Sequence, residues 1–167
     1  MPERKTLRRA ARDKREGKAP STQAGEFVRE EMDHIREGKH GARSTKQAIA
    51  IGLSKARRAG VDLPPPPKGS TSEATRKSAI RAYDAGHDGA QHPVSRKRSR
   101  ATEATLEREP HAAASKAALS RHAKAAARKR SAADRSAAAR EAASTKGAEG
   151  RSAAARKAAK TRARRGL

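Results

Sequence analysis

The chain has 167 residues, 41 of them Lys or Arg and 18 Asp or Glu, for a formal net charge of +23, and it contains no cysteine. Only 17 large apolar residues (Val, Ile, Leu, Met, Phe, Tyr) are present, with one Phe, one Tyr and no Trp, so most of the length cannot build a packed core, and self-repulsion adds to the shortage. Disulfides and thiolate chemistry are excluded, no stretch approaches transmembrane length, and Met1-Pro2-Glu3-Arg4-Lys5 leads into no apolar run; the chain reads as soluble and intracellular, with no membrane partner.

In chain order, residues 1–20 hold 8 basic and 3 acidic residues and read as a basic N-terminal arm without a core of its own. Residues 21–63 differ. Their charge is nearly balanced, 8 basic against 6 acidic, and they carry nine of the 17 large apolar residues: Phe27, Val28, Met32, Ile35, Ile49, Ile51, Leu53, Val61 and Leu63. Ser21 and Thr22 are expected N-caps, and Ala24, Val28, Met32 and Ile35 follow at helical spacing until Gly38, which predicts a helix over roughly 23–37. Ser44-Thr45-Lys46-Gln47 is a capping box, Ile49, Gly52, Leu53 and Ala56 form the next stripe, and Gly60 ends it with Val61 placed to fold back. Two facing stripes make a helical hairpin. Ile51 breaks the pattern, about 160° from Leu53 on the helix circumference, either exposed or packed against another helix or another copy.

Residues 64–110 open with Pro64-Pro65-Pro66-Pro67, a stiff polyproline II spacer. Ser70-Thr71-Ser72-Glu73 is expected to cap a short helix with Ile80 and Tyr83 ending near Gly86, followed by a basic loop over 86–99 and a further short helix through Leu106. Residues 111–167 are low-complexity, with 16 basic residues against 3 acidic. Arg135-Ser-Ala-Ala-Ala-Arg-Glu-Ala-Ala-Ser-Thr-Lys146 recurs as Arg151-Ser-Ala-Ala-Ala-Arg-Lys-Ala-Ala-Lys-Thr-Arg162, an offset of 16 with three substitutions in twelve positions. Alanine favours helix, but like charges and a missing apolar stripe make it marginal in isolation. The expected fold class is all-α: a small helical hairpin between a largely disordered or fluctuating-helical basic N-terminal arm and C-terminal tail.

A surplus of this size attracts polyanions, and Lys and Arg that replace condensed counterions bind phosphates without reading bases. Solubility alone needs far less charge. The expected partner is nucleic acid, double-stranded DNA in particular, because stacking platforms for single strands are missing. The expected contacts are Arg96, Lys97, Arg98 and Arg100 in the basic loop, and Lys116, Arg121, Lys124, Arg128, Lys129, Arg130, Arg135, Arg140, Lys146, Arg151, Arg156, Lys157, Lys160, Arg162, Arg164 and Arg165 in the tail. Lys46, Lys55, Arg57 and Arg58 lie off the apolar stripe and are secondary candidates. The hairpin is also a candidate for self-association. A rival reading makes 21–63 the binder of a protein partner, with a tail that only localises it to RNA or the ribosome.

Glu31-Met-Asp-His34 has the Glu-x-x-His spacing of bundle di-iron proteins, but the second motif and further inward glutamates are missing, so the pair is expected on a solvated face. The remaining histidines show no metal spacing, and no phosphate-cradling glycine loop occurs. No catalytic residue, metal, cofactor or small-molecule ligand is expected, and no enzyme activity.

The block from Ser21 to Gly60, with Glu37-Gly-Lys-His-Gly41 followed by Ser44-Thr-Lys-Gln-Ala-Ile-Ala50, resembles a family of small basic bacterial proteins classed as a domain of unknown function, whose members are often labelled DNA-binding proteins. The resemblance covers about a quarter of the chain. The tail is similar in style to bacterial histone H1-like proteins, a likeness of composition. Together they imply a cytoplasmic, nucleoid-associated role, with no catalytic or ligand residues to carry over.

Overall fold

Pro20 supplies the fixed φ that suits a first helical position, and the chain enters α2 (Pro20–Arg36) there, about three residues ahead of the expected start, with Ala19 at the N-cap and not Ser21 or Thr22. Gly38, at φ 75°, stops the helix: Lys39 N donates to His34 O and Gly38 N to Ile35 O, the paired bonds of a left-handed glycine cap. α3 (Thr45–Arg58) starts at Ser44, whose side chain accepts from Gln47 N. The Gln47 side chain reaches back to Arg43 N, one residue further than a standard capping box. At the other end Gly60 has φ 80°, and Val61 N donates to Ala56 O while the Val61 side chain is buried. The fold-back expected at Val61 is present.

The computed structural model describes residues 1–88 and 95–166, and all regular structure among them is helical. Two compact units are distinguished, 1–122 and 123–167.

In the first unit, α2 and α3 form the expected hairpin, seamed by small residues. One cluster joins Ala24 and Phe27 to Ala56 and Val61, and the other joins Met32 and Ile35 to Ala42 and Ala48. Among the described residues, Phe27 and Ile35 are the large apolar side chains fully out of solvent, each worth about 1.5–3 kcal/mol of burial. α4 (Glu73–His87) packs on α3 with Ala79 and Ala82 buried, capped by Ser72 and not by Ser70. Tyr83 Oη donates to Asp62 Oδ1 at 2.6 Å. Ile51 is half-buried on a helix that packs against both α2 and α4.

Three expectations are corrected. The arm, expected to be largely disordered or fluctuating-helical and without a core of its own, is a packed helix: residues Arg4–Arg15 are α1, which lays Thr6, Ala10 and Asp13 against α2, where Ala10 joins Phe27. The expected basic loop is helical from Arg96, in α5 (Arg96–Glu107) capped by Ser95; its residues 89–94 lie outside the described residues. The folded unit also does not stop at 63. Leu106 O and Pro110 O accept from the backbone N–H groups of Gly41 and Ala42, and a 3₁₀ turn at His111–Ala114 buries Ala113 and Ala114 beside Met32 and Ile35. Thr45 Oγ1 and Arg36 Nε donate to the carbonyls of Ala113 and Ala114. α6 (Lys116–Arg128) then adds Leu119 to that cluster.

In the second unit, α7 (Ala132–Arg165) starts with a full capping box between Ser131 and Asp134. It is interrupted at Gly147 (φ 66°, ψ 173°), a conformation only glycine adopts freely. The break falls between the two copies of the repeat.

Candidate nucleic-acid interface

Every described Lys and Arg side chain from 116 onward is exposed, and α7 has no apolar stripe that would turn one side inward. On α6, Arg121, Lys124 and Arg128 share a face at spacings of three and four, while Leu119 points to the core. Lys116, Arg140, Lys146, Arg156, Lys157, Lys160, Arg162 and Arg164 stand exposed on their helices, and Lys129 and Arg130 are exposed in the turn between α6 and α7. The Arg165 side chain lies outside the described atoms. Arg96, Lys97, Arg98 and Arg100 are exposed on the first turns of α5, with no acidic residue in the first turn. Cations there oppose the positive end of the helix dipole, a conflict that a bound anion relieves.

The repeat is visible in three dimensions. Arg135 and Arg151, the first residues of the two copies, each donate Nη1 to an upstream backbone carbonyl, that of Arg130 at 2.8 Å and that of Ala143 at 2.6 Å. Each copy therefore opens with an arginine that folds back onto the backbone ahead of it.

Two of the secondary candidates are engaged within the fold. Arg57 is buried and donates Nε to Leu63 O at 3.0 Å and Nη2 to Pro64 O at 3.2 Å; burial lowers its pKa from the usual guanidinium value. Lys55 lies 2.5 Å from a carboxylate oxygen of the buried Glu31. Lys46 and Arg58 remain exposed at the two ends of α3.

A further basic stripe appears only with the structure. Arg4, Arg8, Arg12 and Arg15 share the exposed side of α1, opposite Thr6, Ala10 and Asp13. Their spacings of four, four and three were a helical signal, masked by the lack of large apolar residues on the buried side.

The other group that sequence reading missed is Glu31. It is fully buried, not on a solvated face. One oxygen faces His40 Nε2 at 3.1 Å and the other Lys55 Nζ, and a ligand atom from each of Glu31, His34 and His40 lies within 4.8 Å of the others. His40 comes from the loop after Gly38, so no spacing along the chain announced it.

A small all-helical unit carrying a long basic helical extension is the class that this architecture defines. Within it, residues 19–68, spanning α2, α3 and the proline run, match the model of a family described as a family of unknown function (DUF6496). No curated protein and no solved structure matches the chain. Among the described residues no helix is long and apolar enough to cross a membrane.

Proposed function

We propose that the chain binds nucleic acid, double-stranded DNA in particular, through the phosphate backbone and without sequence readout, as a non-enzymatic architectural protein of the bacterial nucleoid. The observation that carries this reading is the second unit: 14 Lys and Arg against 3 acidic residues over 123–167, on helices with no apolar face to bury and with every described cation exposed. Within the first unit, the Arg4–Arg15 stripe and the start of α5 present further exposed cations. Aromatic stacking is not on offer: Phe27 is buried and the Tyr83 ring stacks on His87, which favours a duplex over a single strand.

The test is equilibrium binding to a short duplex over a salt series, with the full chain and with a variant carrying Gln at 135, 140, 151, 156, 162 and 164. From about 50 to 200 mM salt, affinity should fall on the order of a thousandfold if six or more phosphates are neutralised, and the variant should show a shallower slope. Affinity that ignores salt, or equal slopes for the two proteins, overturns the reading. The family match covers the hairpin and stops before the tail, which favours a second reading in which 21–63 binds a protein partner. Capture of the same protein by intact and tail-deleted chains after nuclease treatment would select it.

A further inference from the structure

We propose that Glu31, His34 and His40 form a binding site for a divalent transition-metal ion of the zinc type, tying α2 to the loop that follows it. Glu31 and His34 are one helical turn apart and so face the same point, and Gly38 turns the chain so that His40 comes back to meet them.

The arrangement of protons and lone pairs carries the argument. His40 Nδ1 lies 3.0 Å from Gly41 O. A carbonyl can only accept, so the ring hydrogen sits on Nδ1 and the Nε2 lone pair is aimed at Glu31 Oε1, 3.1 Å away. Two lone pairs at that separation repel unless a cation lies between them. A tetrahedral ion with bonds of about 2.0–2.1 Å holds its ligand atoms roughly 3.3 Å apart, close to the separation present. A backbone carbonyl on the far ring nitrogen is also the usual way a metal-ligating histidine is oriented.

Glu31 is fully buried, and its two oxygens meet only His40 Nε2 and Lys55 Nζ, neither in good hydrogen-bond geometry. Lys55 Nζ stands against Oε2 and leaves Oε1 to the ion. His34 Nε2 meets Glu3 Oε1 at 2.9 Å, so Glu3 either fixes that ring through its outer nitrogen or supplies a fourth ligand. The ligand atoms lie within 4.8 Å of one another, wider than a tetrahedral ion holds them, so uptake of the ion requires the half-buried His34 ring to move toward Glu31 and His40. Two imidazoles and one carboxylate suit zinc and its neighbours over magnesium or calcium.

The competing occupant is a proton on His40 Nε2, giving a buried trio of Lys55, Glu31 and imidazolium. Titration of the full chain with Co²⁺ alone separates the two. The site should take up one ion per chain with visible absorption of low-symmetry cobalt, and Zn²⁺ should displace it. In ring-nitrogen NMR spectra of the wild-type chain, Zn²⁺ should shift His34 and His40 and leave the other four histidines in place. His40→Gln should weaken uptake at least about tenfold, and Lys55→Met should tighten it by removing a competing cation. Lack of stoichiometric uptake at micromolar protein, shifts spread over other histidines, or unchanged uptake in His40→Gln would each overturn the proposal. Should His40→Gln fail to fold, the wild-type spectra decide alone.

Discussion

Gly52 faces Val28 across the α2–α3 seam with no room for a side chain: a Cβ there would lie 2.7 Å from Val28 Cα and 3.0 Å from its Cγ2. In most helices Gly→Ala gains up to about 1 kcal/mol in propensity. Here the Cβ meets backbone, which cannot rotate away, and overpacking costs about 1–3 kcal/mol. Gly52→Ala should therefore lower the thermal midpoint. Gly25, on the same hairpin, has nothing within 4 Å of its would-be Cβ, and Gly25→Ala should raise the midpoint. The same substitution with opposite signs at the two sites is the measurement that checks the seam.

Arg57 and Arg58 are neighbours in sequence with different work. Arg57→Ala removes both donors to the Leu63 and Pro64 carbonyls and should cost about 2 kcal/mol in denaturant unfolding, with the DNA affinity proposed for the tail unchanged at a temperature where the variant is folded. Arg58→Ala should change stability by less than about 0.5 kcal/mol. A large loss of DNA affinity in Arg57→Ala would contradict the assignment.

Glu3 is held below its ordinary carboxylate pKa, first by the hydrogen bond from His34 and then by that from Lys39. A depressed folded-state pKa contributes stability that is present above the unfolded value and lost as pH falls through the folded one. Stability should therefore decline on acidification below about pH 5, and Glu3→Gln should make that decline shallower. The effect is small, because Glu3 is exposed and water screens the pair. Equilibrium unfolding at pH 6, 4.5 and 3.5 for both proteins is the check.

A chain ending at residue 110 lacks Ala113, Ala114 and Leu119, which complete the Met32–Ile35 cluster, whereas one ending at 122 keeps them. The shorter chain should melt well below the longer, by several degrees or more for a loss of about 2 kcal/mol in a domain this size. Equal midpoints would show that the 3₁₀ turn contributes nothing to the hairpin.

The hairpin was legible because its signals are local. The Ser44 cap, the stripes through Ala24–Ile35 and Ile49–Ala56, and the Gly38 and Gly60 stops act within a few residues, and the structure keeps all of them. α1 was not legible: it buries Thr6, Ala10 and Asp13, residues of the kind found on any polar surface. Ala113 and Ala114 look like two more alanines of the tail, and only contact with Thr45 and Arg36, 68 and 78 residues away, sets them apart. Glu31 was misplaced for the same reason, since its burial depends on Lys55 and His40 arriving from other segments. The exposed cations of the tail were the easiest to read, because charge at that density leaves a side chain nowhere to go but outward.

The distance along the chain between Thr45 and Ala113 also sets an order of events. The hairpin closes across the short connection between Arg36 and Thr45 and can form as soon as α3 has been synthesised. The alanines that seal its far end belong to a segment made some 60 residues later, which at 5–20 residues per second is about 3–12 s of synthesis. Through that interval Met32, Ile35 and Ala48 lie open on one side. The late arrival of residues 106–119 then closes the nascent core from the C-terminal direction, immediately before the most basic part of the chain emerges.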